Sequence, residues 1–242
     1  ALHNALYELQ QRNEAHRAFL TKVTHEIRTP LTFVIGYAQL LNEGIADDNE
    51  EKKTEICDKI RYAADQLLAI VDDALEYSRL NTEHDCIRPT ICNPVKTINE
   101  TMAVYEMTAK RKGLEISLHT TENNHVGYYD ERKISVIISK LLSNAVQFTD
   151  KGDIDIYVDA LKNHVEIIVI DSGRGIDDSM LATIFDEFQQ LPQPDKYRAD
   201  GFGLGLTMVD SIISKIDGSL VVSSAEGVGT AFTVVIPSMQ IK

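Results

Sequence analysis

Apolar and seam-like positions recur from the start of the chain at alternating spacings of four and three: Leu2, Leu6, Leu9, Asn13, His16, Leu20, Val23 and Ile27. This is the a/d seam of a coiled coil sustained over several heptads, and a helix with such a seam needs a partner helix. Asn13 and His16 fall on the seam. A polar residue there lowers stability and can fix register and oligomeric state, which fits parallel pairing with a second copy; a tolerated polar layer is the plainer alternative.

A turn-like stretch from Asn42 to Asn49 follows, and then a second helix in which Ile56, Ile60, Ala63, Leu67, Ile70 and Ala74 keep the same spacing. Ala64, Leu68, Val71 and Leu75 widen its apolar stripe beyond what one neighbouring helix covers. Two copies of such a hairpin can close into a four-helix bundle, so residues 1–83 read as a dimerisation domain. Periodicity then stops, and Pro89 and Pro94 mark residues 84–94 as a linker or the first edge strand of something new.

From residue 95 to 242 the pattern changes. It predicts a helix over about Val95–Lys112, a strand LEISLHT and a helix over about Glu131–Thr149. Alternating strands DIDIYVDAL and HVEIIVID come next, then a helix over about Leu204–Ile216 and two closing strands, SLVVSS and TAFTVVIP. The fold class expected is therefore multidomain: an α hairpin followed by an α+β domain.

Composition narrows the function classes. At 242 residues, 43% hydrophobic and 25% charged, the chain can bury one large core or two modest ones. Its 24 Lys and Arg against 37 Asp and Glu leave a net charge of -13, which repels DNA, RNA and anionic lipid surfaces. Cys57, Cys86 and Cys92 form no CxxC pair, and their odd number fits reduced thiols. No apolar run approaches the roughly 20 residues of a membrane helix, and no leader opens the chain. A start at Ala1 inside a helical pattern suggests a piece of a longer protein, with any sensing or membrane part upstream.

Candidate chemistry begins at His25. With Leu20 at an a position, His25 falls at f, farthest from the seam, so its imidazole is expected to face water as a competent nucleophile. Glu26 can hydrogen-bond the other ring nitrogen and stabilise developing positive charge, as the carboxylate of a serine-protease triad does. Thr29 lies one turn on along the same face, and Pro30 removes a backbone donor and is expected to bend the helix there. In the second domain, the apolar strand HVEIIVI delivers Asp171 at its end, with Gly173 and Gly175 in the turn behind. A carboxylate there can accept from the exocyclic amine of adenine, against the bland alternative of an Asp-Gly turn.

GFGLGL places Gly201, Gly203 and Gly205 where the last helix begins, so bare amides and the helix dipole can meet phosphate. No Lys-Ser or Lys-Thr follows, as a P-loop requires, and no dinucleotide fingerprint surrounds it. Asn144 sits amid apolar neighbours in the 131–149 helix, where a magnesium ion on nucleotide phosphates would satisfy its amide. Phe185 and Phe188, at helical spacing, are expected to be buried rings that hinge a mobile lid holding Pro192, Pro194, Lys196, Tyr197 and Arg198. Ordinary core packing of the two rings, with solvated lid charges, is the alternative.

In order and spacing, HEIRTPL, LLSNAVQFT, DSGRGI, IFDEF and GFGLGL resemble the H, N and glycine boxes of sensor histidine kinases, over nearly the whole chain. The resemblance implies a Bergerat-type α/β-sandwich ATP-binding domain following a dimeric four-helix bundle. It implies His25 as phosphoacceptor, Glu26 as general base and Thr29 as an aid to hydrolysis of a phosphorylated partner. Asn144 would ligate Mg and Asp171 would bind adenine, with Gly173, Gly175, Phe188, Gly201, Gly203 and Gly205 around the ATP. The implied partners are a second copy and a response-regulator receiver domain carrying an aspartate. The implied location is cytoplasmic, as part of a larger sensor.

Two departures stand out: the family usually has Asn where Lys140 stands and Lys or Arg where Gln147 stands. ATP binding is therefore the firmer expectation and fast autophosphorylation the weaker one. A nucleotide-gated docking or phosphatase module with little kinase activity is the second reading. A DNA-topology or chaperone-type ATPase is a third, but it gives no reason for HEIRTP on an exposed helix face.

Overall fold

A computed structural model of the protein describes residues 2–44, 49–80, 86–124, 126–190 and 202–239. The seam side chains from Leu2 to Asn13 and at His16, the 191–200 lid and Gly201 lie outside the described residues. The chain divides into two compact units, 1–76 and 77–242.

The first unit is a hairpin of helix α1 (Leu2–Asn42) and the greater part of α2 (Glu50–Leu80). Asn49 caps α2, its side-chain oxygen accepting from Lys52 N–H at 2.9 Å. The stripe read from the sequence separates into two parts. Ile56, Ala63 and Ile70 are buried, whereas Leu68 and Leu75, which widen the stripe, stand exposed with Leu20, Leu31, Phe33 and Ile35 of α1. An apolar surface of this kind calls for a further partner. Pro30 does not end α1, which runs unbroken through it.

The second unit is an α/β sandwich. Its five-stranded sheet has the order β2-β4-β5-β7-β6, built from β2 (Glu115–Asn124), β4 (Asp153–Ala160), β5 (His164–Asp171), β6 (Ser219–Ala225) and β7 (Gly229–Pro237). Only the β2–β4 pair is parallel. Parallel neighbours need a crossover, and the chain makes it through α4 (Glu131–Phe148). Helices α3 (Pro94–Lys112), α4 and α6 (Gly205–Lys215) pack on the sheet.

Strict alternation along the strands supplies the core: Ile154, Ile156 and Val158 of β4, Val165, Ile167 and Val169 of β5, and Phe232, Val234 and Ile236 of β7 are buried. They meet Ile134, Ile137, Ile138, Leu141 and Leu142 of α4 and Met208, Val209 and Ile212 of α6 at helical spacing. Within residues 84–94 the edge-strand alternative is the one observed, as β1 (Thr90–Cys92); its antiparallel partner β3 (Gly127–Tyr129) and the brief helix α5 (Asp178–Leu181) were not read from the sequence. The last turn of α2 also belongs to this unit: Leu80 is buried and its carbonyl accepts from Lys215 Nζ. Cys57, Cys86 and Cys92 are free thiols.

Candidate active site

His25 lies in the middle of α1 with its side chain 71% exposed, as its heptad position requires. Its Nδ1 stands 3.7 Å from Glu26 Oε1, and Lys22 Nζ approaches the same carboxylate oxygen at 3.5 Å. The first separation is longer than a hydrogen bond, so Glu26 attracts the imidazole without yet gripping it. Thr29 is exposed one turn further on. Pro30 has no N–H, so the carbonyl of Glu26 loses its intrahelical donor. The reactive-looking segment thus coincides with a weakened rung of the helix.

The remaining site residues belong to the second unit and are organised by one face of α4. Lys140, Asn144 and Phe148 are spaced by four, so they line up along that face. At one end, a Cβ placed on Gly205 would lie 3.8 Å from Lys140 Cδ, so the lysine stem runs against the first residue of α6. At the other end, the carbonyl of Phe148 accepts from Arg174 N–H at 3.3 Å, and the Arg174 guanidinium lies 4.6 Å over the Phe148 ring. Asn144, partly exposed, sits between the glycine-led helix and the turn behind Asp171.

Asp171 ends β5, 8% exposed. Burial raises its carboxyl above the usual range, and the N–H groups of Gly173 and Thr230 pull part of the way back. The Gly173 bond is 2.9 Å. Gly175 turns the chain at φ 70°, where a Cβ would come within 2.0 Å of the Ala225 carbonyl, so no larger residue fits. Thr149, at the end of α4, is buried with its hydroxyl unpartnered. A buried carboxylate with spare acceptor capacity, an orphan hydroxyl on the residue after Phe148, whose carbonyl meets the same turn, and glycines that admit no Cβ suit a flat, polar ring.

The glycine stretch is similarly constrained. Leu204 occupies the N-cap position of α6 and makes no side-chain capping bond. Gly203 has φ 72°, and a Cβ there would meet the backbone of Phe188 at 2.8 Å. The IFDEF segment is not helical, contrary to the spacing of its phenylalanines: it is a run of turns in which Phe188 itself takes φ 63°. Phe185 and Phe188 are partly buried rather than enclosed. The buried ring is Phe202, which Phe188 meets edge-on at 5.1 Å between centroids. Tyr77 donates its hydroxyl to Glu187, next to Phe188.

One residue missed by the sequence reading is Thr230. It pairs with Asp171 across β5 and β7 and its hydroxyl is 3.0 Å from that of Ser224. The signal lay in the strand register rather than in any local motif.

Residues 129–240 match the histidine kinase-, DNA gyrase B- and HSP90-like ATPase family, and residues 15–83 match the His Kinase A (phospho-acceptor) domain. The chain belongs to the sensor histidine kinases. Across 237 residues it is 31% identical to the autoinducer 2 sensor kinase/phosphatase LuxQ of Vibrio parahaemolyticus, covering 95% of this chain and 27% of that protein. Across 229 residues it is 32% identical to the sensor histidine kinase RcsC of Escherichia coli, covering 94% and 24%. The chain therefore spans about a quarter of the length of these curated relatives.

Solved histidine kinases share the fold. Full-length ShkA in complex with AMPPNP superposes with TM-score 0.64 at 24% identity, covering 93% of this chain and 47% of that one. Histidine kinase ThkA in complex with the response regulator protein TrrA gives 0.72 at 22% identity, covering 96% and 66%. No helix among the described residues is long and apolar enough to cross a membrane.

Proposed function

We propose that this chain is the catalytic core of an ATP-dependent histidine autokinase that phosphorylates His25 and passes the phosphoryl group to an aspartate of a response-regulator receiver. The observation that carries the reading is the α4 face on which Asn144 lies between the Gly205 end of α6 and the Asp171 turn. It brings an adenine-type acceptor and a phosphate-type donor surface to the two ends of one helix face.

In this reading Asp171 accepts from the exocyclic amine of adenine, with Thr230 paired to it across β5 and β7. Gly173 and Gly175 let the ring approach the backbone, and Gly201, Gly203 and Gly205 offer amides to the phosphates. Asn144 is the residue that would ligate Mg, whose charge offsets that of the phosphates. Phe188 shapes the edge of the site and ties it to the glycine stretch through its bond to Gly203.

Since Nδ1 of His25 faces Glu26, Nε2 is the nucleophile. An N–P bond forms as the bond from the γ-phosphorus to its bridging oxygen breaks, with ADP as leaving group. The carboxylate of Glu26 stabilises the imidazolium and receives its Nδ1 proton. Transfer onward to a receiver aspartate regenerates the imidazole. Thr29, exposed on the same face, is suited to orient water for the reverse duty, dephosphorylation of that partner. The kinase/phosphatase name of LuxQ and the response-regulator complex of ThkA support this pairing.

The exposed Leu68 and Leu75 on the widened α2 stripe support a homodimer through the hairpin. The absence of a membrane-crossing helix from the described residues is compatible with a cytoplasmic segment of a larger sensor.

Incubation with radiolabelled ATP and Mg, beside a His25→Gln variant, tests the proposal. Acid-labile label on the wild-type protein alone is the expected result. Label that survives acid, or persists in the variant, would overturn His25 as acceptor. Nucleotide binding with no label at all would favour the docking and phosphatase reading.

A further inference from the structure

The last turn of α2, from Tyr77 onward, belongs to the second unit and meets the rest of it at two separate points. Leu80 is 1% exposed, and its carbonyl accepts from Nζ of Lys215, the final residue of α6. Tyr77 donates its hydroxyl to Glu187, within the IFDEF run of turns. Residues three apart lie on one side of a helix, so this single turn reaches both the far end of α6 and the IFDEF segment.

From Glu187 the connections continue to the opening of α6. The N–H of its neighbour Phe188 donates to the Gly203 carbonyl at 3.0 Å, and the Phe188 ring meets that of Phe202 edge-on. On the other side of Glu187, the Phe185 carbonyl accepts from the hydroxyl of Thr207, in the first turn of α6, at 3.0 Å. Gly203 and Phe188 both have positive φ and stand too close for a Cβ on the glycine. A displacement of Glu187 is therefore passed to the glycine stretch through a link of one residue.

The bond from Tyr77 contributes little to the stability of the fold. Glu187 is exposed, and a hydrogen bond at the surface competes with water. Burial in this region comes instead from Ile184, Phe202 and Leu204. What the bond fixes is the place of an irregular segment, which has no strand ladder or helix to hold it.

We propose that Tyr77 is a positioning residue for the phosphate end of the nucleotide site: by holding Glu187 it sets the Phe188 turn, and through that turn the glycine stretch that opens α6. ATP then meets a loop already in place and does not have to order it on arrival. Tyr77 acts without touching the nucleotide. The inference rests on the nucleotide-binding reading given above and adds to it a residue of α2 on which the geometry of that site depends.

The test is equilibrium competition against a fluorescent ATP analogue, with ATP and adenosine as competitors, beside thermal unfolding. Tyr77→Phe, Glu187→Ala, the double variant and Glu187→Gln are compared with wild type. Loss of the bond should weaken ATP about fivefold in Tyr77→Phe, with adenosine much less affected and Tm unchanged. Glu187→Ala should show the same loss, and the double variant should lose no more than either single one, because each removes the same interaction. Glu187→Gln keeps an acceptor oxygen and should bind ATP close to wild type. Unchanged ATP affinity in Tyr77→Phe overturns the proposal, as do losses that add in the double variant. An equal loss for ATP and adenosine with a lowered Tm also overturns it, since that marks general damage to the domain. Wild-type protein that binds neither competitor overturns the nucleotide reading itself, a result separate from any failure of Tyr77 alone.

Discussion

The backbone N–H of Phe188 donates to the carbonyl of Gly203 at 3.0 Å, tying the turn that carries the phenyl ring to the glycine stretch that opens α6. Both residues have positive φ, so each holds a conformation the other stabilises. Gly203→Ala would force a methyl group against the Phe188 backbone at 2.8 Å in a left-handed conformation. The expected cost is about 1–3 kcal/mol, felt mainly in this loop pair. Nucleotide affinity should fall more than global stability, measured by competition binding beside chemical denaturation.

Asp171 gives the protein an expected pH signature. Burial raises its carboxyl pKa, so it takes up a proton at higher pH than an ordinary aspartate. Protonation removes acceptor capacity from the group assigned to the adenine amine. ATP affinity should therefore fall on acidification earlier than an unperturbed carboxylate would allow. Folding of the unliganded domain has the opposite sign: the native state binds the proton more readily, so this group's contribution to stability declines as pH rises between its unfolded and folded pKa values. Asp171→Asn should flatten both profiles. Binding and denaturation titrations across the acid range check them.

Glu26→Gln should leave nucleotide affinity intact and slow labelling of His25. Loss of a carboxylate that receives a proton typically lowers rate by a factor on the order of 100 or more. Because Lys22 also approaches Glu26, Lys22→Met serves as a control that alters the local charge without removing the base. Initial rates of acid-labile label, with binding measured in parallel, separate a chemical defect from a binding defect.

Leu68→Glu combined with Leu75→Glu should convert the protein to a monomer. Each introduces charge on an exposed part of the α2 stripe, where burial against a second copy would carry an unpaired carboxylate at a cost of several kcal/mol. Sedimentation should show half the mass, while the second unit keeps its nucleotide affinity.

Much of this architecture is written in local pattern. The α2 stripe, the alternation of β4 and β5 and the amphipathic α4 each appear in sequence because one face of every element is buried against its neighbours. The pairing of β1 was not legible: Pro89 and Pro94 bracket four residues, three of them strand, whose partner β3 lies far along the chain. Thr230 escaped in the same way: its relation to Asp171 is a register between strands. Phe185 and Phe188 misled because helical spacing is also met by consecutive turns. The positive φ of Phe188 is imposed by its bond to Gly203, a tertiary contact that no propensity records. Asp171, by contrast, stood out because a carboxylate closing an apolar strand contributes little to packing and much to recognition.

Helix α1 is a lever of 41 residues, about 60 Å long at the usual helical rise. Stiff along most of its span, it is compliant where Pro30 deletes a rung, immediately past the histidine. Torque applied at the Leu2 end would reach His25 with little loss and be absorbed just beyond it. Twist delivered from that end would therefore reorient the imidazole more than the helix end at Asn42.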